Sequence, residues 1–195
     1  MKKILKFSLV LVVALTAISA HAADVDFLLK VKKEQGKRIT FAFNEVNKVA
    51  LTIYDTNDKL INSEELNSKG IINRTYDLNA LPEGTYFLEA ESEFKVARYE
   101  ISVDGTIASL ADSPVSVVYK PVFVNKNGLI SLSILNLDKS PVEIKIYDAD
   151  NTEVYKSAVL TDQNVSKFFN INETELKNYT FVMSYDDKVF TESFK

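Results

Sequence analysis

A stretch of this chain returns about ninety residues later with its pattern intact. GKRITFAFNEVNKVALTIYD, Gly36 to Asp55, aligns with GLISLSILNLDKSPVEIKIYD, Gly128 to Asp148. LNALPEGTYFLEA, Leu78 to Ala90, then aligns with INETELKNYTFVMSY, Ile171 to Tyr185, placing Tyr179 against Gly84 and Phe181 against Tyr86. Each copy closes on a short alternating run, KVARYEISV (Lys95 to Val103) and KVFTESF (Lys188 to Phe194). Self-similarity at a fixed period means one structural unit built twice. The units expected are 23–105 and 114–195, and 106–113 (TIASLADS) serves as a short linker or a shared edge.

Within each unit apolar residues recur every second position. Ile39, Phe41 and Phe43 alternate with Thr40, Ala42 and Asn44, and Val142, Ile144 and Ile146 alternate with Glu143 and Lys145. Period 2 marks strands with one buried face and one wet face. The first unit predicts strands at 26–32, 37–44, 48–55, 59–65, 70–78, 85–92 and 95–103. The second predicts 115–124, 129–136, 141–148, 152–159, 165–171, 179–185 and 188–194. The nearest thing to a helix is NETELKN, a single turn. Seven short antiparallel strands per unit make an all-β chain of two tandem immunoglobulin- or fibronectin type III-like sandwiches.

LPEGTY supports the same fold. Pro82 breaks the incoming segment, Gly84 permits the turn, and Tyr86 enters the core with its hydroxyl bonded back to upstream backbone, a tyrosine corner. In the alignment above Phe181 stands at that position, so the second corner lacks the hydroxyl and a different or looser loop is expected there.

The run VALTIYDTNDKLI…YDLNALPEGTYFLEA…ARYEISV resembles the C-terminal sorting domains of the type IX secretion system of Bacteroidetes. The resemblance covers Val49–Val103 and recurs more weakly over Val142–Lys195. It implies a small exported β-sandwich in a bacterial setting, and a sorting or accessory role in such a pathway as an alternative function. Two departures stand out. The Gly that follows the Asp in the family pattern is missing from both copies, and the better-matching copy is the internal one.

The N-terminus fits export. Lys2, Lys3 and Lys6 precede an apolar run from Phe7 to Ile18, and Ala20-His21-Ala22 has the small-x-small form that signal peptidase accepts. The apolar run is shorter than the roughly 20 residues a membrane span needs, so residues 1–22 read as a cleaved signal, with no membrane span after cleavage. Without them the chain keeps 20 basic and 27 acidic side chains, a net charge of −7. That balance opposes binding to nucleic acid, whose affinity comes largely from basic contacts with phosphate. The expected location is the periplasm or the cell exterior, and the expected partner is a protein, such as a cell-envelope component.

The chain has no Cys, and its only His, His21, leaves with the signal. Ser–His and Cys–His triads and the usual zinc ligand sets are therefore excluded. With five Gly in all, there is no Gly-rich phosphate loop. The remaining acid clusters are Glu64-Glu65, Glu89-x-Glu91-x-Glu93 and Asp186-Asp187. They could act as general acid and base, but alternation makes Glu89, Glu91 and Glu93 the wet face of a strand. Tyr54, Tyr99, Tyr119, Tyr147, Tyr155 and Tyr185 could offer a carbohydrate platform in place of Trp, or serve as ordinary cross-strand packing.

The repeated acidic stretches DTNDK and DADNT have two readings. A calcium loop needs a turn-forming Gly and a bidentate Glu at fixed spacing, and both copies lack the Gly. A hairpin turn needs only Asp and Asn, which bond their own backbone. The turn is the reading adopted, with no cofactor and no metal. The function expected is a non-enzymatic exported structural or protein-interaction module. A sorting element is the alternative, and a secreted carbohydrate-binding module is less favoured.

Overall fold

The computed structural model describes residues 27, 29–44, 48–68, 70–171 and 178–194. The expected signal, with Ala20 and Ala22, and most of NETELKN lie outside the described residues. Within them every regular element is a strand. The first repeat contributes β1 (Leu29–Gln35), β2 (Arg38–Phe43), β3 (Lys48–Asp55), β4 (Leu60–Asn67), β5 (Ile72–Asp77), β6 (Gly84–Glu91) and β7 (Lys95–Asp104). β8 (Ile107–Leu110) and β9 (Ser116–Tyr119) follow. The second repeat contributes β10 (Val122–Lys126), β11 (Leu129–Leu135), β12 (Glu143–Tyr147), β13 (Glu153–Lys156), β14 (Asn164–Asn170), β15 (Tyr179–Tyr185) and β16 (Lys188–Phe194).

All pairings are antiparallel. They form sheets β1-β2-β5 and β4-β3-β6-β7-β8, then β10-β11-β14 and β13-β12-β15-β16. The alternation explains how each sheet pair closes. Ile39, Phe41 and Phe43 from one sheet meet Leu51, Ile53 and Leu88 from the other, all 2% exposed or less. A second cluster gathers Ile130, Leu132 and Ile134 against Ile144 and Phe181. The mean apolar side chain buried this deeply contributes about 1.5–3 kcal/mol relative to exposure, so these two clusters hold the fold in the absence of any disulfide.

The segment read as a linker or shared edge contains β8. Ile107, Ala108, Ser109 and Leu110 alternate exposed and buried, and Ala108 and Leu110 join the first cluster. The main chain of β8 pairs with Ile101–Asp104 of β7, and Leu110 N donates to Glu34 Oε1 at 2.9 Å.

The predicted strand 115–124 divides into β9 and β10 because Pro121 has no amide hydrogen to donate and a fixed φ. The two halves part company there. β9 pairs with Lys95–Arg98 of β7, whereas β10 pairs with β11. A single run thus finishes one sheet and starts another.

Strand register also corrects the alignment of the two corners. Asp55 lies opposite Tyr86, and Ile53 opposite Leu88. Ile146 lies opposite Phe181 and Tyr147 opposite Thr180. Phe181 therefore corresponds to Leu88, and Tyr179 to Tyr86. The second repeat keeps a tyrosine at this place, and Tyr179 is buried. Aligning on the Leu-x-x-x runs hid this, because the insertion falls in the loop before the strand.

Candidate functional site

The two acidic stretches fold into the same turn. Asp55 Oδ1 accepts hydrogen bonds from Asn57 N at 2.8 Å and Lys59 N at 3.0 Å. Asp148 Oδ1 accepts from Asp150 N at 3.0 Å and Thr152 N at 2.8 Å. Main-chain bonds Asp58 N to Asp55 O and Asn151 N to Asp148 O are both 3.1 Å. Asp58 (φ 56°) and Asn151 (φ 61°) take the left-handed position, which Asp and Asn tolerate better than most side chains. A register shift precedes each turn, at Ile53/Tyr54 and at Ile146/Tyr147. Each lead carboxylate caps two backbone amides, so the conserved geometry is that of a turn.

At the corner, Tyr86 donates its hydroxyl hydrogen to the Pro82 carbonyl oxygen at 2.9 Å. Gly84 has φ 148°, in the range where a side chain is strained.

Arg98 of β7 organises the surface beside the first turn. Its guanidinium pairs with Asp58 Oδ1 at 2.5 Å and lies 4.2 Å from the centre of the Phe87 ring and 5.9 Å from that of Tyr54. The flat cation over two rings contributes about 0.5–1 kcal/mol at such a half-exposed site. Tyr54, Asp58 and Arg98 form one wall of a groove of about 580 Å³, and Asp186, Asp187 and Lys188 of the second repeat form another. Sequence reading singled out the carboxylates and Tyr54 but missed Arg98, although a cation next to an inward Tyr on a strand, and so on its outer face, could have flagged it.

Glu89 stands at the base of this groove, 8% exposed, and receives a hydrogen bond from Lys188 Nζ at 2.6 Å. The expectation that Glu89 is on a wet face fails because the second repeat covers that part of β6. Glu91, still exposed, pairs with Lys120 Nζ at 2.6 Å.

The other acid clusters are likewise tied down. Glu64 accepts from Arg74 Nε at 2.7 Å and from the Tyr76 hydroxyl at 2.6 Å. Burial, then this carboxylate, push the Tyr76 hydroxyl well above the ordinary tyrosine range. Lys48, then Asn67, hold the Glu65 carboxyl below its usual value. Asp186 and Asp187, at φ 49° and 55°, form the tight turn between β15 and β16.

The tyrosines do not form a common platform. Tyr99 and Tyr185 are buried, and Tyr185 donates to the Tyr119 carbonyl oxygen at 2.6 Å. Burial raises the Tyr185 hydroxyl above its ordinary pKa, with Asp186 adding to the shift. Tyr54 sits beneath Arg98, and Tyr155 packs edge-on to Phe169 at 5.2 Å. Tyr147 is half-buried on the outer face beside its turn.

Turn, corner and Arg98 all fall inside one matched segment. Residues 35–103 match the secretion system C-terminal sorting domain. The matched segment thus runs from the end of β1 to the end of β7 and takes in Val49–Val103, the stronger of the two stretches in which the resemblance was read.

Among solved structures, the chain is similar to the BSP domain of a biofilm associated protein, at 14% identity and a TM-score of 0.28 over 85% of this chain and 29% of that one. It is similar to the FN1–FN3 domains of chicken CNTN1, at 11% identity and a TM-score of 0.29 over 85% of this chain and 63% of that one. A third is native alpha-2-macroglobulin from Escherichia coli, domains NIE–MG1, at 10% identity and a TM-score of 0.28 over 88% of this chain and 98% of that one. The chain thus spans less than two thirds of the first two. No curated protein matches it.

Proposed function

We propose that the chain is an exported, non-enzymatic protein-interaction module built from a duplicated β-sandwich, preceded by a signal cleaved after Ala22. The first sandwich takes in β8 and the second opens at the strand run broken by Pro121. The observation that carries this reading is the commitment of the acidic side chains to structure. Glu64 serves Arg74 and Tyr76, Glu89 serves Lys188, and Asp55 and Asp148 serve their turns. What remains available for binding is surface and strand edge, which suits a protein partner of the cell envelope.

The sorting-domain segment at 35–103 favours a second reading, in which the chain is a sorting or accessory element of a type IX-like export pathway. Tagging both ends of the chain in a host with that pathway separates the two. An interaction module persists outside the cytoplasm at full length, whereas a sorting element is cleaved near the second repeat. Retention of the untruncated chain in the cytoplasm would overturn both. Turnover of any substrate that disappears on neutralising an acid pair would overturn the non-enzymatic assignment.

A further inference from the structure

The duplication allows each edge of the second repeat to be compared with its counterpart in the first. Leu88 lies opposite Tyr99 and Phe181 opposite Glu192, so β16 corresponds to β7 and Val189 to Val96. β7 is paired along both flanks, by β6 on one side and by β8 and β9 on the other. Among the described residues β16 is paired only with β15. The consequence shows in burial, since Val96 is 5% exposed and Val189 67%. β16 runs against β15 through all seven residues without a register shift and contains no Pro. Natural sheets usually protect so long and straight an edge.

We propose that the β16 edge is a dimer interface, pairing antiparallel with β16 of a second copy of this chain. Tyr185 and Lys188 flank the two-residue turn and form its hydrogen-bonded pair, so the amides of Val189, Thr191 and Ser193 point away from β15. A two-fold axis at Phe190 sets the outward amides of Val189 and Thr191 against each other. The same axis places Lys188 opposite Glu192 twice, matching both charges of the strand with their opposites. Lys188 has three donors and keeps its bond to Glu89. Two other sheet-end strands, β4 and β13, lack this self-complementarity. β4 carries Glu64 and Glu65 with no base, and β13 has four residues and a register shift.

Sedimentation equilibrium of the exported chain over a range of concentrations tests the proposal. The expected result is a reversible dimer. Glu192→Lys, which sets Lys against Lys at both contacts, weakens dimerisation by about tenfold. Thr191→Pro removes an outward amide and abolishes it. Val159→Lys, an exposed change away from the edge, leaves it unaltered. A monomer at every concentration overturns the proposal, as does a dimer that survives Glu192→Lys unchanged. If Thr191→Pro fails to fold, as circular dichroism would show, the exposed Glu192→Lys variant decides alone.

Discussion

Lys188 of β16 reaches Glu89 of β6, ninety-nine residues earlier in the chain, and bonds it at 2.6 Å with the Glu89 side chain only 10% exposed. The pair ties the two repeats together at a point where neither charge is free in solvent. Truncating one partner leaves the other desolvated, whereas replacing both leaves no orphan.

Lys188→Met is therefore expected to destabilise the protein by about 1–3 kcal/mol. The double variant Glu89→Met/Lys188→Met should recover a large part of that loss. Denaturant unfolding of the two variants checks both statements, and equal losses would mean that the pair is effectively solvated.

The corner makes two separable predictions. Tyr86→Phe removes one hydrogen bond and is expected to cost about 0.5–1.5 kcal/mol. Gly84→Ala meets open space but is held at φ 148°, so its cost, about 1–3 kcal/mol, is backbone strain. Calorimetry of each variant should show lower melting temperatures, and an unchanged value for Tyr86→Phe would remove the corner from the stabilising interactions.

Leu110 decides whether the 106–113 segment belongs to the first core. Leu110→Ala is expected to cost about 2–5 kcal/mol, the range for a buried leucine. A loss under half a kilocalorie per mole, the scale of a surface change, would mark the segment as a tether.

Acid should weaken the fold. Lys145, then Lys156, hold the Glu143 carboxyl below its ordinary value, and the Asn79 amide, then Arg38, do the same for Asp77. A carboxyl with a lowered folded pKa adds stability above its unfolded value, and that stability is lost as pH falls through the folded value. Tyr76 and Tyr185 have raised folded values, so their contribution holds below the ordinary pKa of about 10 and declines as pH climbs past it. Melting temperature against pH should therefore fall at both extremes. Glu143→Gln should flatten the acid limb, and a limb of unchanged steepness would dismiss the Lys145–Glu143–Lys156 cluster as a source.

Asp55 and Asp148 should behave alike. Each Asp→Ala change loses two amide caps and is expected to cost about 1–2 kcal/mol. Calcium should leave the melting temperature of the parent chain unmoved. A rise with calcium, lost in Asp55→Ala, would restore the metal reading of these loops.

The sequence alone determined that Ile39, Phe41 and Phe43 face inward, that DTNDK and DADNT are turns, and that the chain repeats itself. Each of these is a local matter, because a strand's period and a turn's side-chain-to-backbone bonds involve residues within a few positions of one another. Only the tertiary structure decided that Glu89 is covered by Lys188, that Ile107–Leu110 pairs along the edge of β7, that Pro121 sends β9 and β10 to different sheets, and that Tyr179 is the counterpart of Tyr86. Those facts depend on which strand lies beside which. Antiparallel pairing joins residues far apart in the chain, and a strand carries no local mark of the neighbour that will cover its edge.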